Sequence, residues 1–330
     1  MPSSLVRTYT DPDAYFADIR NLEIEGLVVQ RGSFRAESTH IDLQRLQMYR
    51  SAETLPRIMK VTPSGRRTGF VFATDPGQPA MRINAIEIAD DQISKTGLSW
   101  EWHLRSAGPC RWGSMSLTPG DLAAAGEAIV GLELVPAIFA HSLTPPAPVL
   151  SRLRKLHEAA GHLAQTAPDI LANPEVARAI EQALVEAMVF CLAGTSFEDA
   201  HNVQRHRARI IRRLEGVLSA NPEEPLYMAE LSAQVGASYW TLRDCCLEYF
   251  GMSPKRYLWL RRMNLARRAL QRADAEETTV TKIATNYGFW ELGRFSVAYR
   301  SLFGESPSTA LRRPPDCWPP AKAGRLSSTF

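Results

Sequence analysis

The spacing of apolar residues divides the chain into two regimes. From Leu22 to about Leu134 hydrophobic and polar positions alternate with period two. Five segments carry the pattern of strands: Gly26–Val29, Ser33–Ile41, Thr68–Phe72, Met81–Ile88 and Leu98–Leu104. Turn formers stand between them, as from Asp75 to Pro79 and from Ser106 to Pro109. A succession of short strands predicts an antiparallel β-barrel or jelly roll. Asp121–Gly126 reads as a short helix or loop, and Ala128–Val135 returns to apolar character. Pro145, Pro146 and Pro148 then break any regular element. Beyond them the period lengthens to that of a helix. One helix is predicted from Val149 to about Ala167, with Leu150, Leu153, Leu156 and Leu163 near one face. A second runs from Pro174 to about Ala193, with Val176, Ile180, Leu184 and Met188 on a stripe. Such a pair either completes the core of the domain or joins two subunits.

The remaining helical region contains one pattern twice. Leu231, Val235, Gly236, Leu242, Phe250, Gly251, Ser253 and Pro254 align with Ile283, Tyr287, Gly288, Phe295, Phe303, Gly304, Ser306 and Pro307. The offset is 52 residues up to the turn glycine and 53 beyond it, so the second turn carries one extra residue. Each copy, about 228–250 and 280–303, reads as a helix, a glycine-centred turn and a second helix. Two matched copies argue for helix-turn-helix units far more strongly than one would. In the first, Ser238 caps a helix from Tyr239 to Phe250, with Leu242, Cys246 and Phe250 inward. In the second, a helix from about Trp290 to Phe303 turns Leu292, Phe295, Tyr299 and Phe303 inward. Ser253-Pro254 opens a connecting helix that runs to about Arg272. Upstream, a helix from Asn202 to about Ala220 carries Arg205, Arg207, Arg209, Arg212 and Arg213 around the apolar side Val203, Ile210, Leu214 and Val217.

The distribution of charge separates the two regimes more sharply than the overall balance does. Val203 to Arg313 holds 18 Lys and Arg against 11 Asp and Glu, a net of +7, whereas residues 1–202 carry 18 against 23, a net of −5. A basic C-terminal half on an acidic N-terminal half implies that only the former meets a polyanion. The five cysteines show no CxxC pair and no regular spacing, as expected of reduced thiols in a cytoplasm. The first eleven residues lack the basic and apolar segments of a signal peptide. No stretch approaches the roughly 18 apolar residues of a membrane span. A soluble, cytoplasmic protein is the expectation, with residues 314–330 as a disordered, proline-rich tail.

The double motif suits the major groove. Residues at the start of such a second helix reach base edges, and arginine there pairs bidentately with guanine, worth about 1–3 kcal/mol of discrimination. A connector of roughly 20 residues at about 1.5 Å each spans about 30 Å, close to the ~34 Å of one turn of B-DNA. One chain could then address two successive major grooves, with arginines of the connector (Arg256, Arg261, Arg262, Arg267 and Arg268) near phosphates.

These residues resemble a known family. Leu231 to Gly236, Ser238, Leu242, Phe250-Gly-Met-Ser-Pro, the run from Arg261 to Leu270, Ile283-Ala, Tyr287-Gly-Phe, Arg294-Phe and the run from Tyr299 to Pro307 are similar to the AraC/XylS class of bacterial transcription regulators. The resemblance covers Arg209 to Arg313, about a third of the chain. It implies two helix-turn-helix subdomains on a long helix, promoter DNA and RNA polymerase as partners, and a variable N-terminal domain that senses a small molecule or dimerises. On this sequence the implied base readers are Trp240, Arg243 and Asp244, then Glu291, Gly293, Arg294 and Val297. Ser238, Arg256, Arg261 and Arg262 are the implied phosphate contacts. Cys246 stands where the family usually has phenylalanine, Leu247 where a basic residue is common, and Gly293 has no side chain to read with. The N-terminal half resembles, more loosely, the cupin-like sensors of this class.

The expected organisation is an α+β chain of two domains. Residues 1–145 form a β-rich sensor, 146–195 the helical pair, 196–208 a linker and 209–313 the all-α DNA-binding domain. A cupin-like barrel raises the alternative of a metal enzyme, but His40, His103 and His141 include no His-x-His pair. His157 and His162 lie five apart, about 140° out of alignment on a helix, so they read as surface residues rather than metal ligands. Neither a metal nor another cofactor is expected, nor is catalysis. A better candidate is aromatic: Phe70 with Phe72 and Trp100 with Trp102 alternate on strands, and with His103 or Arg111 for polarity they suit a small organic effector. A further alternative is a helical adaptor that uses Trp240 and Leu247 as an apolar patch. The expected function is a ligand-controlled, homodimeric transcription regulator on the nucleoid.

Overall fold

Strands whose two faces are both apolar must be covered twice, and that requirement builds the N-terminal half. The computed structural model describes residues 2–63, 66–96, 101–136, 141–193, 202–220 and 226–313. A seven-stranded antiparallel sheet has the order β1 (Ser3–Tyr9), β3 (Ala36–Asp42), β4 (Gln47–Glu53), β11 (Cys110–Leu117), β6 (Thr68–Ala73), β9 (Ile93–Thr96) and β12 (His141–Leu143). A five-stranded sheet faces it in the order β2 (Leu22–Val28), β5 (Arg57–Pro63), β10 (Trp102–Ser106), β7 (Met81–Ile83) and β8 (Ile86–Ile88). The segment from Met81 to Ile88, expected as one strand, is instead a hairpin. Asn84 and Ala85 take φ of 50° and 72°, the left-handed pair that a two-residue turn needs. Asn84 also clamps β10, donating its N–H to the His103 carbonyl at 3.0 Å and accepting the His103 N–H at 2.9 Å.

Alternation sorts side chains into three apolar layers. Tyr49, Val71 and Trp112 of the larger sheet meet Met59, Val61, Trp102 and Leu104 of the smaller one between the sheets. Met48, Phe70, Phe72 and Met115 point the other way, onto helices α2 (Pro119–Val130), α3 (Ala147–Thr166) and α5 (Pro174–Ala193). The predicted helical pair therefore closes the outside of the larger sheet. His157 of α3 is fully buried there, not at the surface. Its Nε2 lies 3.0 Å from the Tyr49 carbonyl, its ring stands edge-on to Phe72, and burial lowers its pKa to about 3. It fits because Gly113 leaves room: a Cβ there would come within 2.7 Å of the imidazole.

The third layer joins the two halves. Leu27 and Ile58, on the outer face of the smaller sheet, pack with Ile210, Ile211, Leu214 and Leu218 of α6 (Asn202–Ala220), and with residues of the first helix-turn-helix unit. The connecting helix α9 (Pro254–Arg272) lies along the edge strand β2. There Asn264 receives the Val28 N–H at 3.2 Å and donates to the Val28 carbonyl at 3.3 Å, pairing an edge that would otherwise be open. Arg267 and Arg268 each meet Asp13 at 2.8 Å. Arg267 also pairs with Asp11, and Arg268 donates to the Gly26 carbonyl at 2.6 Å.

Candidate nucleic-acid interface

Local capping chemistry sets each recognition helix. In the first unit α7 (Met228–Val235) ends at Gly236, whose φ of 68° makes the turn, and α8 (Tyr239–Phe250) begins where Ser238 accepts the Thr241 N–H at 3.2 Å. Leu242, Cys245, Cys246 and Phe250 are buried, so Cys246 fills the inner position without opening the helix to solvent. In the second unit α10 (Val280–Asn286) leads through Gly288, at φ 74°, to α11 (Leu292–Phe303), which buries Phe295, Tyr299 and Leu302.

The faces left outward carry the residues expected to read bases. Trp240 is 67% exposed, and Arg243 lies 5.6 Å from its ring centroid and 3.6 Å from Asp244. The second helix starts at Leu292 rather than Trp290; Trp290, just before it, and Val297 on it are exposed, and Arg294 pairs with Glu291 at 2.8 Å. Each arginine expected to read bases thus rests on a neighbouring acid, an exposed pair worth about 0–1 kcal/mol. Gly293 stands in open space, so a side chain there would meet nothing within 4 Å.

The structure separates the expected phosphate contacts into two groups. Ser238 and Arg256 are exposed, the latter over the Trp259 ring at 4.3 Å. Arg262 is half-buried over Phe289 at 5.4 Å. Arg261 is buried instead, donating to the Leu218 carbonyl at 3.3 Å and facing Glu25 at 3.5 Å. Together with Arg267 and Arg268 it belongs to the contact between domains. Nothing local to α9 signals this, since the acids that claim these arginines lie more than 200 residues earlier.

Between the sheets a cavity of about 90 Å³ opens at one end of the barrel. Of the residues expected to line an effector site, Trp102 faces it and Phe70 reaches its wall. Phe72 turns to the helical layer and His103 to the first helix-turn-helix unit. Arg111 is exposed near Asp75, outside this cavity, and Trp100 lies outside the described residues. Sequence reasoning passed over Tyr49, Trp112, Arg20 and Arg67, which the fold brings to the same cavity from distant strands and loops.

Beneath the same sheet the His103 Nε2 lies 3.8 Å from the Glu215 carboxylate of α6, beyond hydrogen-bond distance. Glu215 accepts the Tyr257 hydroxyl at 2.6 Å. Burial alone would raise its pKa, yet His103, Tyr257 and Arg261 together bring it down to about 2. Among the described residues no group of three His, Cys, Asp or Glu could hold a metal ion, and no helix is long and apolar enough to cross a membrane.

The chain is similar to several known proteins. A helix-turn-helix domain model matches residues 231–313. The chain is 29% identical over 187 residues to a probable thc operon regulatory protein of Rhodococcus erythropolis, covering 56% of each chain. It is 40% identical over 86 residues to XylDLEGF operon transcriptional activator 1 of Pseudomonas putida, 26% of this chain and 25% of that one. The chain thus spans about half the length of the first relative and a quarter of the second. Among solved structures, the AraC-like transcriptional activator CuxR covers 86% of this chain and all of its own at 14% identity, with a TM-score of 0.42. Residues 231–313 thus carry a helix-turn-helix domain, and that part of the chain is similar to the corresponding part of these operon regulators.

Proposed function

We propose that this protein regulates transcription by placing α8 and α11 in successive major grooves of promoter DNA, under the control of a small organic effector held between the sheets. The observation that carries the reading is the pair of outward recognition faces on one basic domain, joined by the 19-residue α9. At about 1.5 Å per residue that rod is about 28 Å long, comparable with the ~34 Å repeat of B-DNA. Control by an effector needs a path to the DNA-binding half, and here one sheet suffices. Ile24, Met59 and Trp102 face the cavity, while Glu25, Lys60 and His103, one residue on, face the DNA-binding half. The name of the Pseudomonas relative, an operon activator, favours activation, which entails contact with RNA polymerase. The working form would be a cytoplasmic homodimer on the nucleoid, acting by regulation rather than catalysis.

Footprinting upstream of the protein's own and neighbouring operons, at low salt, tests the reading. Protection should fall on one face of the duplex in two patches about one helical turn apart. No protected DNA in any of these regions would sink the proposal. Sedimentation at micromolar concentration tests the dimer, and a monomer both free and on DNA would remove that part.

A further inference from the structure

The second recognition helix carries a face that packing within the protein does not account for. Val297, midway along α11, is 72% exposed, and Trp290, just before the helix, is 71% exposed. Gly293 stands between them, one helical turn before Val297 and on the same side of the helix. Glycine inside a helix is destabilising relative to alanine, so its presence there needs a reason. A packed neighbour is one such reason, yet a Cβ at Gly293 would meet nothing within 4 Å. A left-handed backbone is another, but that conformation belongs to Gly288 and Gly304 and not to Gly293. The remaining reason is room for something outside the chain to come close to the helix backbone.

Charge and the internal repeat together identify the visitor. Lys282, Arg294 and Arg300 are exposed on the same helix-turn-helix unit, within the stretch Val203 to Arg313 that carries a net of +7, so the face is framed for a polyanion. At the repeat offset of 53 residues, Val297 corresponds to Asp244 of α8 and Gly293 to Trp240. Where the first helix presents a carboxylate and a bulky ring, the second presents an aliphatic side chain and a gap. The two helices therefore suit different base chemistry, and α11 can lie nearer to base edges than α8. Valine offers neither a donor nor an acceptor, and the one apolar mark in the major groove is the 5-methyl group of thymine.

We propose that α11 reads thymine by seating its 5-methyl group against Val297, with Gly293 admitting the helix backbone to the base edges. The assignment rests on the DNA-binding reading above and names a base that one half of the operator must contain. To test it, the full chain first selects duplexes from a random-sequence pool about three helical turns long, enough for both recognition helices. Each thymine of a selected duplex is then replaced singly by deoxyuridine, which pairs identically and lacks only the methyl group, and affinity is measured by gel shift. Burying one methyl group is worth about fourfold in affinity, so deoxyuridine should cost the parent about that factor at one thymine or more. Val297→Ala should weaken binding of the thymine duplex by a similar factor and bind the thymine and deoxyuridine duplexes equally at that position. Gly293→Ala should raise the apparent Tm while weakening the selected duplex severalfold, opposite signs that a purely structural role would not produce. The assignment is overturned by a bound duplex indifferent to deoxyuridine at every thymine, by an undiminished thymine preference in Val297→Ala, or by parental affinity in Gly293→Ala. Those results leave DNA recognition standing. A parent chain that enriches no duplex from the pool removes both the assignment and the reading beneath it.

Discussion

Replacing Glu215 by glutamine asks whether one buried charge helps to hold the two halves together. Glu215 is 1% exposed and accepts the Tyr257 hydroxyl at 2.6 Å, with His103 at 3.8 Å and Lys60 at 4.0 Å from its carboxylate. Burial opposes its ionisation, but His103, Tyr257 and Arg261 outweigh burial and carry its pKa from the ordinary 4.5 to about 2. A displacement of about 2.5 pH units corresponds to stabilisation on the order of 3 kcal/mol. Because the folded state holds the lower pKa, the contribution is complete above about pH 4.5 and is lost as pH falls towards 2. Glutamine keeps the shape and can still accept the Tyr257 hydrogen bond, so the substitution removes the charge and leaves His103 and Arg261 facing a neutral group. Thermal unfolding at neutral pH should then show an apparent Tm lowered by several degrees. The deficit should shrink steadily on acidification below pH 4.5. A Tm within about one degree of the parent at neutral pH, or a deficit that persists unchanged into acid, would refute the reasoning.

Other perturbations probe separate layers. Gly113→Ala would place a Cβ 2.7 Å from His157 and 2.8 Å from Phe72, an over-packing that should cost about 1–3 kcal/mol in urea unfolding. A midpoint equal to the parent's would mean that α3 yields freely. Arg294→Ala should lower discrimination between operator and random DNA by about 1–3 kcal/mol in competition gel shifts, with little effect on random DNA alone. An equal loss on both would reassign Arg294 to the phosphate backbone. Asp13→Lys turns the partner of Arg267 and Arg268 into a repelling charge. It should speed hydrogen exchange at the Val28 amide, which Asn264 covers, and unchanged protection there would place the docking strength elsewhere.

The two halves were not equally legible, and the reason is local chemistry against long-range cover. Gly236, Gly288, Ser238 and Ser253-Pro254 fix turns and caps by their own conformational preferences, so α7, α8 and α9 fall on the residues the pattern indicates. In the barrel, β4 and β11 escaped notice because helices cover one side and the second sheet the other. Met48 beside Tyr49, and Trp112 with Met115, make both parities apolar and erase the period-two signal. Alternation showed that Phe70 and Phe72 share a face but not which face, and the fold turns Phe72 towards α3. A stripe of arginines on α9 looked suited to phosphate until Asp11, Asp13 and Glu25 arrived from the other end of the chain. The same two-sided cover that hid the strands also makes the proposed regulation short. Along β10, Trp102 lines the cavity and His103, the next residue, faces Glu215, so a ligand that displaces the indole moves the backbone carrying the imidazole. On that account, coupling between effector and DNA-binding domain needs one peptide unit rather than a chain of contacts through the core.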